Sequence, residues 1–170
     1  GSTSAPPDDV CRPVERTLAS IAEQVEAIDA IVDRARSRLR VFDVDLSQGG
    51  WHTADRAERL VAFLRRAHGP RVEVIVHDTR WLAQSCPRLI TVLRLYGHAI
   101  TVYRTGSEAR NAMDPLVIGD DRHFLHRFHV DGPRAALAFD SPIAARPLVA
   151  RFEEIWATGE PGLSGTVLGL

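Results

Sequence analysis

The segment AERLVAFLRRAHGPRVEVIVHD, residues 57–78, decides the fold, because a helical pattern passes through a Gly-Pro break into a buried strand. Thr53 or Asp55 can cap the helix, and its apolar residues recur at spacings of three and four. Residues 72–76 (VEVIV) are β-branched and almost continuously apolar, which is typical of a parallel strand covered on both faces. A helix followed by such a strand predicts an α/β domain.

The same alternation extends in both directions from this segment. Upstream, the pattern predicts a helix over residues 14–38 and a strand over 39–44. Downstream, it predicts a helix over 79–97 broken at Pro87, and a strand over 100–103. After a loop at 104–114, short strands are predicted at 116–118, 123–130 and 135–139, and a last helix at 142–157. We therefore expect a three-layer α-β-α sandwich, whose mixed sheet begins with parallel strands and ends in a β-meander.

The basic residues of the chain are all arginine, 21 of them, and lysine is absent from its 170 positions. This composition excludes Schiff-base lysines, P-loop lysines and Ser-Lys dyads. The formal net charge of −1 argues against a broad electrostatic surface for nucleic acid or for an anionic membrane. A local cluster of arginines remains compatible with it.

Composition also predicts the domain limits. Residues 1–13 are rich in Pro, Ser and Asp and are expected to be a disordered linker, in which Gly1-Ser2 resembles the remnant of an expression tag. The domain is expected over 14–160, followed by a tail over 161–170. The two cysteines, Cys11 and Cys86, form no CxxC pair, and no metal or cofactor motif is present. No apolar run approaches 18 residues, so we expect no membrane span and a cytoplasmic location.

Several segments, taken in order, resemble one half of a phospholipase D superfamily protein over roughly residues 15–160. They include LITVLRLYGHAITVYR (89–104), PLVIGDDRHFLHR (115–127) and AFDSPIAARPLVARFEEIWATGE (138–160), whose helix ends in Phe-x-x-x-Trp. The resemblance implies the same sandwich fold. It also implies a homodimer or a protein partner, because active members of the family build their site from two such halves.

The chain departs from that family at the residues that carry the reaction. Active members have a His-x-Lys pair before the Asp turn, in which the His attacks phosphorus and the Lys holds phosphate oxygens. Counting back from Asp120 places Pro115 at the Lys position and Met113 at the His position. A shift of one residue gives Asp114 and Ala112 instead.

The small-polar-Asn turn of the family would fall near residues 138–141 (AFDS), which contain no Asn. The resemblance therefore implies the fold and argues against the reaction. The chain is similar to the non-catalytic, phospholipase D-like domains of uncharacterised bacterial proteins, and we assign no catalytic residue.

A phosphate-containing ligand is still compatible with the residues around the expected site. Arg104, Arg110 and Asn111 belong to the loop after the third strand, and guanidinium and amide groups bind phosphate oxygens well. Arg127 and His129 share one face of a later strand. The alternative is an exposed loop and a solvated strand face.

Other polar residues have structural and functional interpretations. His126 lies between two phenylalanines, as a hydrogen-bonded core histidine would. His77 and Asp78 end the second strand, where open α/β folds bind ligands, but Asp78-Thr79 also suits a helix cap. Asp43 and Asp45 could bind a cation, but no third ligand is visible and a turn suits them better. Trp51 could be an exposed contact anchor, although packing over the sheet edge is the favoured interpretation.

Three functions follow, in order of preference. The first is a non-catalytic, phospholipase D-like binding or interaction module. The second is a phosphodiesterase or nuclease-type enzyme with a rearranged site, which would use His77, His126 or His129 with arginines. The third is a nucleic-acid-binding module, which the neutral charge makes the least favoured.

Overall fold

A computed structural model describes residues 15–163 of the chain. The expected linker at 1–13, with Cys11, and most of the expected tail at 161–170 lie outside the described residues. The helices are α1 (Ile21–Arg34), α2 (Ala54–Leu64), α3 (Arg80–Ser85), α4 (Pro87–Leu95) and α5 (Pro142–Trp156), with a 3₁₀ turn at Ser107–Ala109. The strands are β1 (Arg16–Leu18), β2 (Arg38–Asp43), β3 (Arg71–Val76), β4 (Ile100–Arg104), β5 (Leu116–Gly119), β6 (His123–Arg127), β7 (Ala135–Ala138) and β8 (Glu160–Pro161).

The eight strands form one mixed sheet in the order β1-β7-β6-β5-β2-β3-β4-β8. Strand β3 pairs in parallel with both β2 and β4, as the alternation of helix and strand predicts. Strands β5, β6 and β7 follow as an antiparallel meander, and β5 pairs with β2. The predicted mixed sheet with parallel and antiparallel halves is confirmed.

Helices cover both faces of the sheet and give the expected three layers. One buried cluster contains residues of α1, α2 and α4 together with the inward side chains Val41, Val74 and Leu125. A second buried cluster places Phe152 and Ile155 of α5 against Phe42 and other residues of the opposite face. We call these the α1 face and the α5 face. Because side chains alternate along a strand, neighbouring residues of β6 lie on different faces.

Two short strands at the margins of the sheet are absent from the sequence prediction. The expected helix at 14–38 is shorter, since Ser20 caps α1 by accepting a hydrogen bond from the Glu23 N–H, and Arg16–Leu18 forms β1 instead. At the other margin, Glu160–Pro161 pairs with β4 as β8, so the paired part of the fold runs past residue 160. Three-residue and two-residue strands are too short to show an alternating pattern.

The break predicted at Pro87 is present. Helix α3 ends at Ser85 and α4 begins at Pro87, where the missing N–H of proline costs no helical hydrogen bond. Within residues 15–163, no helix is both long enough and apolar enough to cross a membrane.

The turn between β5 and β6 is tied to the start of β2 by Asp120. Asp120 and Asp121 both have positive φ angles, 52° and 56°, which aspartate tolerates better than most residues. The Asp120 carboxylate accepts hydrogen bonds from the backbone N–H groups of residues 36, 37 and 38, at 2.9–3.0 Å. Burial acts to raise the pKa of Asp120, but these hydrogen bonds lower it below its usual range. Asp120 therefore fixes the β5–β6 hairpin against β2.

Candidate functional site

The candidate site lies at the edge of the sheet where the parallel strands end. Strand β2 ends there at Asp43, β3 at Val76 and β4 at Arg104. Because β5 and β6 are antiparallel to each other, β5 begins and β6 ends at this same edge, with Leu116 opposite His126. Open α/β sheets bind ligands at this carboxyl edge, so its side chains decide what the molecule can do.

On the α1 face, four side chains that we call the plug close the carboxyl edge: Trp51 and Arg127, which are buried, Asp43, which is partly buried, and Gln48, which is exposed. Arg127 is nearly inaccessible, and all three nitrogens of its guanidinium donate hydrogen bonds within the protein. Nη1 donates to Gln48 Oε1 at 2.6 Å, and Nη2 and Nε donate to backbone carbonyls of the 128–134 turn at 2.7 Å. Three of the five guanidinium N–H groups are used within the protein, and the residue is only 7% exposed, so Arg127 has little access to a ligand.

Asp43 belongs to the plug but lacks a charged hydrogen-bonding partner. Its carboxylate accepts a hydrogen bond from the Val44 N–H at 2.6 Å. Burial raises the pKa of Asp43 to about 6, and the nearby Asp45 carboxylate acts in the same direction, while the Val44 hydrogen bond and the charge of Arg127 lower it. The cavity beside Asp43 and Arg127 has a volume of about 20 Å³, which is space for one water molecule. This face of the edge therefore has no room for a substrate.

Trp51 completes the plug from the loop after β2. Its ring is buried, and the Arg56 guanidinium lies 4.5 Å from the ring centroid. Glycine is required at 49, because a Cβ atom there would lie 2.5 Å from the indole nitrogen. The interpretation of Trp51 as a packed rather than an exposed side chain is confirmed.

Next to the plug, His77 fastens the loop that follows β4. Its Nε2 lies 2.6 Å from the carbonyl oxygen of Ala112, and its Nδ1 lies 2.6 Å from the hydroxyl oxygen of Thr105. Since a carbonyl only accepts, Nε2 carries the proton and Nδ1 accepts from the Thr105 hydroxyl in the neutral ring. Both ring nitrogens are occupied, so His77 holds the 105–112 segment over the sheet edge.

Of the predicted pair Asp78-Thr79, Asp78 binds the first residue of α3, whereas Thr79, the N-cap residue, makes no side-chain capping hydrogen bond. The Asp78 carboxylate accepts a hydrogen bond from the backbone N–H of Arg80 at 2.8 Å and also binds the Arg80 side chain. Asp45 similarly accepts from the Ser47 N–H and stabilises the turn after β2. Among the described residues, no group of three or more His, Cys, Asp or Glu side chains is placed to hold a metal ion.

On the α5 face, three side chains meet that are far apart in sequence: Asp114, His126 and Arg151. His126 Nε2 lies 2.9 Å from Asp114 Oδ2, and Arg151 donates to both oxygens of the same carboxylate, at 2.7 and 2.5 Å. Although burial by itself raises the pKa of Asp114, the hydrogen bonds from His126 and Arg151 hold it at about 2. We call this group the Asp114 triad.

The triad orients an imidazole toward the surface. An ionised Asp114 only accepts hydrogen bonds, so it selects the His126 tautomer with the proton on Nε2 and leaves Nδ1 as the basic nitrogen. The His126 side chain is 24% exposed. Beside Arg151 lies an open cleft of about 310 Å³, whose lining includes Glu108, Asn111 and Glu154. A histidine oriented by a carboxylate is chemically able to transfer a proton.

The five predicted anion-binding residues do not converge on one point. Arg104 lies on β4 and Arg127 on β6, four strands apart, which is roughly 19 Å across the sheet. Arg104 forms an exposed ion pair with Glu160, and Arg110 donates to the Thr105 carbonyl at 3.3 Å. Asn111 is exposed and lines the cleft beside Arg151.

His129 is placed differently from the sequence prediction. It lies beyond the end of β6, in the turn, where its Nδ1 accepts a hydrogen bond from the Asp131 N–H. His123, which shares its face with Arg127, is buried rather than solvated, and burial lowers its pKa. The predicted strand at 123–130 is too long by three residues because the chain turns at Phe128.

The structure separates two segments that the family resemblance would bring together in one site. Met113 and Pro115 precede β5 at the carboxyl edge, but residues 138–141 lie at the opposite end of the sheet, because Ala138 is paired with Phe124. The end of β6, at Arg127, is the part of the neighbouring strand that faces Pro115. The turn at 138–141 is therefore the wrong partner for those positions.

Sequence reasoning missed the roles of Gln48, Asp114 and Arg151. Asp114 appeared only as a shifted register position, although an aspartate just before a strand and a histidine inside the next one are a usable signal for a pair. Arg151 follows 37 residues after Asp114 in sequence, and only the packing of α5 brings it near.

Comparison with known proteins places the chain in a family and in a fold. A family model described as a domain of unknown function, DUF7931, matches residues 20–164. No curated protein matches the chain by sequence. Among solved structures, it is similar to Nuc, a phospholipase D family member from Salmonella typhimurium (TM-score 0.64, 14% identity, 90% of this chain and 100% of that one). It is likewise similar to NucT from Helicobacter pylori (0.61, 14% identity, 89% and 100%).

A further solved structure with the same fold is TrmBL2, an archaeal chromatin protein (TM-score 0.65, 9% identity). The match covers 86% of this chain and 53% of TrmBL2, so the chain corresponds to about half of that protein. At these identities the likeness concerns the fold alone. The chain belongs to the DUF7931 family of domains of unknown function, and its architecture is that of the phospholipase D family.

Proposed function

We propose that this protein is a non-catalytic, phospholipase D-like domain that acts as a binding or interaction module. The observation that carries the proposal is the plug. It fills the carboxyl edge on the α1 face and leaves a space of about 20 Å³, the size of one water molecule. By the family spacing, the positions expected to supply a nucleophile and a cation are Met113 and Pro115, or Ala112 and Asp114 after a shift of one residue, and the chain has no lysine to replace the cation.

Phosphoryl transfer requires cationic groups directed at the developing charge. Arg127 is the arginine that the sheet brings to the edge nearest to Pro115, and its three nitrogens donate to Gln48 and to backbone carbonyls. Redirecting this guanidinium toward a phosphate would break its hydrogen bonds to the Val130 and Gly132 carbonyls, at about 1–3 kcal/mol each. This cost supports a structural role for Arg127.

The test is an activity assay with the wild-type protein and two variants. Bis-p-nitrophenyl phosphate and labelled single-stranded and double-stranded DNA serve as probes, and we expect no turnover above buffer. Turnover that co-purifies with the protein and is lost in His126→Ala, but kept in His129→Ala, would contradict the proposal. His129 is the matched control, because it lies in the adjacent turn and contacts Asp131 rather than Asp114.

A second candidate is an enzyme with a rearranged site, and the Asp114 triad favours it. In this candidate, Nδ1 of His126 acts as the base or nucleophile, Asp114 orients the ring, and Arg151 fixes Asp114. If this candidate is right, Asp114→Asn and His126→Ala should each lower the activity relative to the wild-type protein.

As an interaction module, the domain is proposed to form a homodimer or to bind a protein partner. Sedimentation velocity between 1 and 100 μM tests the homodimer, and we expect twice the monomer mass. A monomer throughout this range would exclude self-association and leave a different protein as the partner. A reducing, cytoplasmic location is part of the proposal and suits the buried, unpaired thiol of Cys86.

A phosphate-containing ligand is proposed only for the exposed residues of the original set. Arg104, Arg110 and Asn111 keep solvent access, whereas Arg127 is committed to the plug and His129 to its own turn. Titration calorimetry with inorganic phosphate measures this, with Arg110→Ala as the variant and Arg88→Ala, on the distant α4, as the control.

Nucleic acid remains a ligand to test, because TrmBL2 has this fold and its structure shows DNA binding. The net charge of −1 makes binding by this chain the less favoured outcome. Binding that weakens steeply as salt is raised would be its signature.

A further inference from the structure

Arginines are dense at the amino edge of the sheet, where the parallel strands begin, at the end opposite to the candidate site. Residues 34–38 (RARSR) join α1 to β2, and residues 65–71 (RRAHGPR) join α2 to β3. These two segments contain six arginines and one histidine, and neither contains an aspartate or a glutamate. The formal net charge of −1 is therefore an average over an uneven distribution.

The two segments lie side by side because β2 and β3 are paired in parallel. Arg38 is paired with Arg71 in the register, and the Arg71 N–H donates to the Ser37 carbonyl at 3.0 Å. The Arg66 guanidinium donates to the backbone carbonyl of Asp33 at 2.7 Å, which ties the end of α2 to the end of α1. The arginines of both segments thus form one surface, which we call the basic edge.

Most arginines of the basic edge have no acidic partner. Arg34 lies 4.0 Å from Asp140 and Arg38 lies 3.4 Å from Glu73, so these two are paired. Within residues 15–163, no carboxylate lies at ion-pairing distance from the other four, which are Arg36, Arg65, Arg66 and Arg71.

Two further acids lie close to the basic edge and are engaged elsewhere. Asp33, the residue before the first segment, binds the Arg59 side chain. The Asp120 carboxylate accepts hydrogen bonds from the backbone N–H groups of residues 36–38. Neither carboxylate is therefore directed at a guanidinium of the basic edge.

The four unpaired arginines are accessible to a ligand. Arg36, Arg65 and Arg71 are exposed, and Arg66 is half-buried. Arg65 donates to the Tyr96 hydroxyl at 3.2 Å, which leaves its charge and its other N–H donors available. Like charges held close together repel one another, and a bound anion relieves this repulsion.

The pattern of charges fits the backbone of a nucleic acid. Every phosphate of that backbone is negative, whereas a folded protein surface carries both signs, so arginines without acids match the nucleic acid better. Guanidinium groups bind phosphate oxygens through paired N–H donors. The two segments contain no apolar side chain larger than proline, and they therefore lack the Trp, Phe or Leu that binding at a membrane surface uses.

We propose that the basic edge binds the phosphate backbone of a nucleic acid. This rests on the role of binding module proposed above and adds to it a ligand class and a surface. The surface lies at the opposite end of the sheet from the plug and the Asp114 triad, so binding there requires neither of them.

Fluorescence anisotropy with a labelled DNA duplex of about 20 base pairs tests the proposal. Contacts from four arginines predict a slope of about −3.6 in the logarithm of the association constant against the logarithm of the salt concentration. We therefore expect the affinity to fall about 100-fold between about 50 and 200 mM salt. In the double variant Arg36→Gln, Arg71→Gln, two contacts are lost, and the same change of salt should weaken binding only about tenfold.

The matched control is the double variant Arg80→Gln, Arg88→Gln. It removes the same charge from two exposed arginines outside the basic edge, on α3 and α4. We expect it to bind the duplex with the affinity and the salt dependence of the wild-type protein. Urea denaturation should give both double variants the wild-type midpoint, because none of the four side chains is buried.

Three results would overturn the proposal. The first is absence of binding by the wild-type protein at about 50 mM salt. The second is equal weakening in the control variant, which would place the duplex on another surface. The third is binding to phosphatidylserine vesicles but not to DNA, with the vesicle binding lost in Arg36→Gln, Arg71→Gln, which would assign the basic edge to a membrane.

Failure here is separable from failure of the proposed function. A homodimer or a protein complex that forms without DNA binding would overturn the nucleic-acid ligand and leave the binding module in place. Phosphodiester turnover that depends on His126 would contradict the non-catalytic role and leave the basic edge to be judged by its own salt dependence.

Discussion

Asp43 and Asp114 lie at the same carboxyl edge, on opposite faces of one sheet, and each is close to an arginine. Asp114 receives direct hydrogen bonds from Arg151 and His126, and its pKa is about 2. Asp43 lies near Arg127, but that guanidinium donates elsewhere, and burial raises the pKa of Asp43 to about 6. Burial raises the pKa of both carboxyl groups; at Asp43 it outweighs the single Val44 hydrogen bond and the charge of Arg127, whereas at Asp114 the hydrogen bonds from His126 and Arg151 outweigh it.

The two faces also differ in what their charged side chains do. On the α1 face the arginine stabilises a closed plug, and the carboxylate is a cost that the fold tolerates. On the α5 face the carboxylate is stabilised, and it orients a partly exposed imidazole. The chemistry that this edge still offers is therefore on the α5 face.

Removal of Arg127 should have the largest effect. Arg127→Met keeps the length of the side chain but leaves Gln48 and two backbone carbonyls without their donor, and it removes the charge that lowers the pKa of Asp43. We expect a loss of about 3 kcal/mol in the free energy of unfolding, because the two backbone carbonyls lose a charged donor, at about 1–3 kcal/mol each, while the exposed Gln48 amide is hydrated by water. Urea denaturation at pH 7 measures the loss. A loss below 1 kcal/mol would show that the plug opens without cost.

Asp114→Asn should destabilise the α5 face in a pH-dependent way. The folded-state pKa of Asp114, about 2, lies below the ordinary value of 3.8, so its stabilisation is present above pH 3.8 and is lost as the pH falls through 2. We expect a loss of about 2 kcal/mol at pH 7, after allowance for the exposure of Arg151. The difference between wild type and variant should shrink toward pH 2.

Asp43→Asn should raise the free energy of unfolding at neutral pH, whereas Asp114→Asn lowers it. The folded-state pKa of about 6 lies above the ordinary value of 3.8, so the charged form costs stability once the pH passes that range. We expect the variant to be about 1–2 kcal/mol more stable than wild type at pH 7.5, and no more stable at pH 4. Thermal melts at both pH values measure this. A variant that is less stable at pH 7.5 would mean that Asp43 has a charged partner after all.

Arg80→Ala should have the smallest effect. Asp78 and Arg80 pair at the same edge, but the Arg80 side chain is 81% exposed, so water replaces it. We expect an unchanged denaturation midpoint. A clear shift would show that charge pairing at this edge matters even when it is fully hydrated.

The fold was largely predictable, because long periodic segments and Gly or Pro breaks survive in the sequence. The pattern of residues 57–78 predicts most of α2 and all of β3, and Pro87 predicts the boundary between α3 and α4. The marginal strands β1 and β8 were not predictable, because their pairing partners, β7 and β4, lie more than fifty residues away. Such contacts leave no local pattern.

The candidate site was less predictable for the same reason. The sequence identified Arg127 and His126 as candidates and placed them on opposite faces, which is confirmed. It did not show that Gln48 occupies the Arg127 guanidinium, or that α5 brings Arg151 to Asp114. The proposed anion site at Arg104, Arg110, Asn111, Arg127 and His129 requires convergence across strands, and strand order is set by tertiary packing rather than by spacing in the chain.

The two shortest strands of the sheet also limit strand-to-strand pairing between copies of the chain. With β1 and β8 at its margins, the sheet ends on each side in a strand of two or three residues, which offers a neighbouring chain almost no backbone to pair with. Behind β1 lies β7, four consecutive buried residues of sequence AALA. The three residues of β1 thus act as a guard against strand-to-strand aggregation, and their detachment would expose an apolar edge to other molecules.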